Sequence, residues 1–280
     1  MLNKGDNMKD EEIKKAVRAG YANVAKQSCS CCSSACCGTA KSQEISKKIG
    51  YSEDEIRAVP AEANLGLGCG NPTALAAIKA GETVLDLGSG AGFDCFLAAQ
   101  KVGPRGRVIG IDMTEEMVER AKENASKGGY RNVEFRKGEI EDLPVDDNTI
   151  DLIISNCVIN LVPNKDRAFK EAFRVLKAGG RLMVSDIVLL KRLPDFVKNS
   201  IEAYVGCVSG ASTKDKYLDS IKAAGFEDVR VINESVFPLD CMTTDPTGQA
   251  ILKSMEGAPE QLREVESSIS SIQVGADKPI

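Results

Sequence analysis

Histidine and tryptophan are both absent from the 280-residue chain. Without imidazole, neither His general-base catalysis nor a His-ligated metal site is available. No apolar run approaches the roughly 20 residues that a membrane-spanning helix needs. Positive charge is also short: the net charge is -5 and the pI is near 5.2. A phosphate-reading surface needs clustered positive charge, so nucleic acid is not an expected partner. The first residues, MLNKGDNMKDEEIKKAVRAG, are charged and carry no secretory apolar stretch. These absences together predict a cytoplasmic protein that engages neither membrane nor nucleic acid. The remaining composition, 42% hydrophobic and 28% charged, is ordinary for a globular enzyme.

What the chain does have is thiol. Cysteine occurs ten times, at positions 29, 31, 32, 36, 37, 69, 95, 157, 207 and 241. In a reducing compartment, scattered cysteines in this number point to soft-ligand binding or redox chemistry rather than to structural disulfides.

The pattern along the chain predicts an α/β fold with an appendage at each end. Residues 9–26 read as a helix with Ile13, Val17, Tyr21 and Val24 on one face. The segment SCSCCSSACCGTAKS is too rich in Ser, Cys and Gly to assign helix or strand. A short helix is expected from Ser52, which forms a capping box with Glu55. Strands over 83–87, 107–111, 133–136, 149–155 and 181–186 then alternate with helices over 93–101, 115–127 and 164–176. Such alternation is the repeating unit of a parallel sheet covered on both faces. Helices over 194–205 and 213–224 and strand-like runs over 229–233 and 236–239 follow, and the tail after Thr247 shows only helical patches. The expected division is an N-terminal helix and Cys-rich arm over 1–62, a Rossmann-like core over 63–190 and a small C-terminal α+β domain over 191–280.

Val84-Leu85-Asp86-Leu87-Gly88-Ser89-Gly90-Ala91-Gly92 places a glycine-rich turn between a strand and a helix. Glycines there admit a ligand close to the backbone, and the helix start offers free N–H donors. The next strand ends in Asp112, where a doubly wound sheet places a carboxylate for ribose hydroxyls. With Asp112 present, a ligand-free tight turn is the weaker reading, although these features alone also suit a nicotinamide. The first-strand Asp86 and the later words Lys137-Gly138-Glu139-Ile140-Glu141-Asp142-Leu143-Pro144 and Val175-Leu176-Lys177-Ala178-Gly179-Gly180-Arg181-Leu182 resemble the class I S-adenosylmethionine methyltransferases over roughly 120 residues. That resemblance implies S-adenosylmethionine as cofactor. Asp86, Gly88 and Gly90 would shape its methionine pocket, Asp112 would hold the ribose, and Met113, Glu139 and Ile140 would border the adenine, with Ser89 and Asn156 also among the cofactor-binding residues. The family often has Asp where Glu139 stands.

Cys157 follows the fourth strand, at the carboxyl edge where open α/β sheets bind ligands. Cys69 lies in the Gly-Cys-Gly loop before the first strand, and Cys207 follows the core. Three thiols from three segments can therefore converge above one cofactor. Trivalent arsenic is soft and thiophilic. Three thiolates would hold it as a pyramid whose lone pair faces the methyl donor, and such a transfer needs alignment rather than a general base.

At this point the chain closely resembles the arsenite methyltransferases, of the bacterial and archaeal type. The resemblance rests on Gly68-Cys69-Gly70, Asp86-Leu87-Gly88-Ser89-Gly90 with Asp94-Cys95, Gly110-Ile111-Asp112-Met113-Thr114, Ser155-Asn156-Cys157-Val158-Ile159-Asn160-Leu161-Val162-Pro163 and Gly206-Cys207. It implies that Cys157 and Cys207 hold As(III) throughout, and that Cys69 completes the pyramid or exchanges disulfide with an N-terminal cysteine. Five cysteines between 29 and 37 could serve there, with the Cys36–Cys37 pair favoured. Expected partners are arsenite or its thiol conjugates, and a small-molecule or thioredoxin-type thiol reductant.

A free cysteine is more often a small buried hydrophobe than a ligand, and Cys95 and Cys241 are read that way. The 29–37 cluster reads equally as a loose thiol tether. Two other functions stay open on residues alone: methylation of a small quinone- or sterol-like acceptor, and non-enzymatic sequestration of arsenic or a soft metal.

Overall fold

Strand alternation decides which side chains face which layer. In the computed structural model, residues 10–26, 35–193, 207–237 and 264–280 are described. Strands β1 (Thr83–Leu87), β2 (Arg107–Asp112), β3 (Val133–Lys137), β4 (Ile150–Asn156), β5 (Leu176–Leu189), β6 (Glu227–Val236) and β7 (Ile269–Asp277) form one sheet in the order β3-β2-β1-β4-β5-β7-β6. The first five pair in parallel, whereas β7 runs antiparallel to both β5 and β6.

The helices are α1 (Asp10–Lys26), α2 (Ala35–Lys48), α3 (Glu53–Arg57), α4 (Pro72–Leu75), α5 (Phe93–Val102), α6 (Glu115–Gly128), α7 (Lys165–Val175) and α8 (Lys214–Ala223). Leu85, Leu87, Ile109, Ile111 and Ile153 pack with Phe169 of α7 and with Tyr217 and Ile221 of α8. The intervening residues Val84, Val108, Leu152 and Ile154 pack with Phe96 of α5 and Val118 of α6. Both faces of the sheet are thus covered, which is why its central strands read as nearly continuous apolar runs.

A third apolar cluster lies apart from these two layers. It joins Val17 of α1, Ile45 of α2, Cys69, Leu161, Ile187, Cys207 and Phe237, with Cys157 and Met113 packed against it. Two thiols that the sequence singles out are therefore buried in this cluster and a third abuts it.

The expected elements over 83–176 recur with small shifts of their ends, and Ser52 and Glu55 form the reciprocal capping box. Three differences have physical causes. Helix α2 forms over residues of low helix propensity because Ile45 is buried against Val17 and Ser46 hydrogen-bonds both Ser42 O and Asn64 Oδ1 at 3.0 Å. The first strand-like run, 229–233, lies within β6, which ends at Val236 where the second run is expected to begin, and residues 238–239 of that run lie outside the described residues. Strand β7 lacks an alternating sequence because it is central, and its polar residues are buried where they bond other backbone: Ser271 Oγ donates to Cys69 O at 2.5 Å and Gln273 Nε2 to Asn71 O at 3.3 Å. Residues expected to form the C-terminal unit thus contribute two strands to the same sheet. The helix expected over 194–205 lies outside the described residues, as do Cys29, Cys31, Cys32 and Cys241.

Candidate active site

The glycine-rich turn leaves β1 at the carboxyl edge of the sheet. Gly88 N and Ser89 N donate to Ile111 O at 2.8 and 2.9 Å, tying the turn to the end of β2. Gly88 has φ +71°, and a Cβ there would lie 2.3 Å from Val158 Cγ2, so only glycine fits. Gly90 N donates to Asp112 Oδ2 at 3.0 Å, and Thr114 N to Asp112 Oδ1 at 2.9 Å. Burial lifts the Asp112 carboxyl above its usual range against the pull of these two N–H groups.

One crevice of about 1450 Å³, counting its open mouth, begins at this turn and ends at the thiols. Asp86, Gly88, Ser89, Gly90, Asp112, Met113, Glu139, Ile140, Asn156, Cys157 and Cys207 all line it. Cys69 sits just behind the wall formed by Gly68 and is 4% exposed. Cys36 and Cys37 fall on the first turn of α2.

At the crevice's centre, two buried carboxylates lie side by side. Burial lifts Asp94 to about 6, opposed by hydrogen bonds from Tyr51 and Asn156. Asp86 is pushed well above the carboxylate range, first by burial and then by the Asp94 charge. Tyr51 OH donates to Asp94 Oδ1 at 2.6 Å, and Cys95 Sγ donates to Asp86 Oδ2 at 3.2 Å. Cys95 is fully buried among apolar neighbours, as a small core residue would be. Among the described residues neither acid makes an ion pair, and the Lys101 charge acts only on Asp94 without a salt bridge; a buried acid pair of this kind is matched to a positively charged ligand. Ser89 Oγ is buried without a partner, and a Cβ on Gly90 would meet nothing within 4 Å. The donor set and the free space fit S-adenosylmethionine, whose ammonium and sulfonium are cationic and whose ribose carries two hydroxyls that can donate to a carboxylate such as Asp112.

Helix α1 closes the other end. Lys14 Nζ lies 2.6 Å from both Glu139 and Glu141, and Arg18 lies 2.9 Å from Glu139. The Lys14 hydrogen bond, with the charges of Lys14 and Arg18, holds Glu139 below its usual range despite partial burial.

At the thiol end, Cys69 Sγ, Cys157 Sγ and a carboxylate oxygen of Asp186 all lie within 4.8 Å of one another. Cys207 Sγ donates to Cys157 O at 3.0 Å. Cys157 and Cys207 have φ of +59° and +64°, a left-handed backbone that costs a side-chain-bearing residue about 1 kcal/mol each. Strain of this kind collects where a fold holds groups for a ligand. Burial pushes the Cys69 thiol up, reinforced by Asp186 and Cys207. The hydrogen bond with Cys207 draws the Cys157 thiol down, but the bond with Cys69 and burial outweigh it and hold the thiol well above its usual range. All four described non-helical-arm cysteines, Cys69, Cys95, Cys157 and Cys207, are free thiols.

A seven-stranded sheet of this order, parallel except for β7, with a glycine turn after β1 and an acid after β2, defines the class: an S-adenosylmethionine-dependent methyltransferase domain. A family model described as a methyltransferase domain matches residues 78–225. An arsenite methyltransferase of Halobacterium salinarum is 49% identical over 230 residues, covering 79% of this chain and 59% of that protein. The human arsenite methyltransferase is 36% identical over 241 residues, covering 83% and 63%. Among solved structures, an arsenic(III) S-adenosylmethionine methyltransferase from Chlamydomonas reinhardtii matches at 30% identity with a TM-score of 0.61, covering 86% of this chain and 73% of that one. The chain belongs to this methyltransferase family, in its arsenite methyltransferase branch. It spans between half and about three-fifths of the length of the curated relatives it matches.

Two residues of the site carry no motif. Tyr51 meets Asp94 and Asn156 only through folding, and Lys14 reaches the crevice from a distant helix. Asp186 was accessible in principle, because an acid near the carboxyl end of a parallel strand lies at the ligand-binding edge. Among the described residues, no helix is long and apolar enough to cross a membrane.

Proposed function

We propose that the protein transfers methyl groups from S-adenosylmethionine to trivalent arsenic held by Cys69, Cys157 and Cys207, as an arsenic detoxification enzyme of the cytoplasm. The observation that carries this reading is the continuity of the crevice, which runs from Asp112 and the Asp86–Asp94 pair to Cys157 and Cys207.

S-adenosylmethionine, when bound, supplies an electrophilic methyl group on a sulfonium. Asp112 would hold the ribose, Gly88, Ser89 and Gly90 would line its approach, and Met113, Glu139 and Ile140 would border the adenine. Asp86, Asp94 and Asn156 would face the methionine end, where the negative charge of the two aspartates compensates the ligand's cations. Each thiol condenses with an arsenic-bound hydroxyl: the As–O bond breaks, an As–S bond forms, and the thiol proton leaves on water. Because the exchange is neutral overall, thiols with raised pKa values remain competent. Soft sulfur donors leave arsenic its lone pair, and transfer then requires alignment rather than proton removal. That requirement suits a chain without histidine.

Methylation consumes the lone pair, and two electrons restore it. In this reading they come from thiols that close as a disulfide, with Cys36 or Cys37 the N-terminal candidates, and a small-molecule or thioredoxin-type reductant reopens it. The 1–62 arm supplies that thiol, the 63–190 core binds the cofactor and 191–280 covers the arsenic.

The test is methyl transfer from labelled S-adenosylmethionine to arsenite under thiol reductant, with arsenic species separated chromatographically. Methylated arsenic is the expected product. Its absence, with cofactor binding intact, would favour a small organic acceptor instead.

A further inference from the structure

Beneath the thiols lies a polar network that methyl transfer itself does not use. Asp186 stands at the carboxyl edge on β5 and is 1% exposed. Asn160 Nδ2 and Ile187 N donate to its Oδ1 at 2.8 and 2.9 Å, while Tyr217 OH donates to Oδ2 at 3.1 Å. Asn160 is completely buried, and its Oδ1 has no hydrogen-bond partner. A buried carboxylate is costly, and among apolar residues a fold retains one only where its contacts repay desolvation.

Its placement gives that carboxylate a use. Three ligand atoms mutually within 4.8 Å leave a central point no more than about 2.8 Å from each. Two of the three are the sulfurs of Cys69 and Cys157, which suit arsenic, and the third is a hard oxygen, which does not. Arsenite arrives with hydroxyls, and an As–OH is a donor that a carboxylate oxygen accepts. Among the described residues Oδ2 has one donor, Tyr217, and a carboxylate oxygen accommodates two.

Resting on the arsenite reading above, we infer that Asp186 is a positioning residue for substrate loading: it accepts a hydrogen bond from an arsenic-bound hydroxyl and turns that hydroxyl toward the thiol that displaces it. In the step so positioned, one As–O bond breaks, one As–S bond forms, and the thiol proton departs with the hydroxyl as water. Arsenic stays trivalent throughout, so no oxidant or reductant enters. Asn160 and Tyr217 keep the carboxylate turned to the thiols. The chemical class this site selects is therefore a trivalent arsenic species that still bears oxygen, in contrast to one already fully substituted by thiols.

The experiment compares two arsenic sources on the full-length protein with saturating S-adenosylmethionine and a phosphine reductant. One is arsenite alone; the other is the tris-glutathione complex of arsenic kept in excess glutathione. Asp186→Asn is expected to lower kcat/KM for arsenite roughly ten-fold or more, chiefly through KM, by loss of a charge-assisted hydrogen bond. With the tris-glutathione complex, which carries no hydroxyl, it should stay within about two-fold of wild type. Tyr217→Phe, which leaves the carboxylate in place, should show a smaller loss confined to arsenite, and it carries the test alone if Asp186→Asn does not fold. Equal losses with both sources, or none with either, overturn the positioning role while leaving methylation intact. If the wild-type protein methylates neither source, the arsenite reading fails and this inference fails with it.

Discussion

Asn156 accepts the backbone N–H of Cys69 at 3.0 Å, so the residue preceding one thiol holds the loop that carries another. Its amide nitrogen lies 2.8 Å from Gly70 O, 2.9 Å from Tyr51 OH and 3.2 Å from Asp94 Oδ2. One side chain thereby joins the cofactor end of the crevice to the thiol end. Asn156→Ala should weaken both cofactor and arsenic binding, and strip about 2 kcal/mol of stability by stranding buried partners. Calorimetric titration with S-adenosylmethionine and chemical denaturation measure the two effects. Loss of one binding function alone would show that the ends are not coupled through this residue.

Cys157→Ser and Cys207→Ser should abolish methylation of arsenite and leave S-adenosylmethionine affinity unchanged within about three-fold, because serine oxygen is a poor donor for a soft centre. Normal turnover in either variant would rule out three-thiol binding.

Asp112→Ala should weaken cofactor binding by roughly ten-fold or more, the worth of a hydrogen bond to a charged group. The same variant also frees Gly90 N and Thr114 N, so the turn should loosen. An unaltered dissociation constant, read by calorimetry, would remove Asp112 from the ribose site.

Asp94, lifted to about 6 by burial, sets a pH dependence with opposite signs in the free and bound protein. In the free protein its pKa is raised, so its contribution to stability is full below about 4 and is lost as pH rises through about 6. A cationic ligand beside it favours the ionised form, so cofactor affinity should increase as pH rises from about 5 to about 7. Asp94→Asn should flatten both curves, measured by thermal unfolding and by titration across that range. A pH profile of affinity identical to wild type would place the cation elsewhere.

Lys14 is the ion-pair partner of Glu141, whose side chain is only 6% exposed. Lys14→Met leaves that carboxylate buried against α1 without its cation, and should cost about 2 kcal/mol, discounted for Lys14's partial exposure. Release of α1 should also accelerate cofactor dissociation. A stopped-flow displacement rate equal to wild type would show that α1 does not retain the ligand.

The core from Thr83 to Val175 was legible element by element, because its apolar period, its glycine turn and its caps are all local properties. Ser52 and Glu55 announced their capping box within four residues. Helix α2 and strand β7 were not legible. Both are polar in composition and exist because distant partners satisfy them, Ser46 through Asn64 and Ser271 through Cys69 O.

By itself, then, the order of residues placed Asp86, Gly88, Gly90 and Asp112 along one strand, a turn and the next strand, and all four line the crevice. It also determined which cysteines lie at element ends. Tertiary structure alone decided that Cys69, Cys157 and Asp186, separated by up to 117 positions, share a space under 5 Å wide. It alone decided, too, that Asn156 links the two ends. The physical reason is that side-chain proximity across a sheet is set by strand order and register, and β7 entering beside β5 has no signature in the residues that precede it.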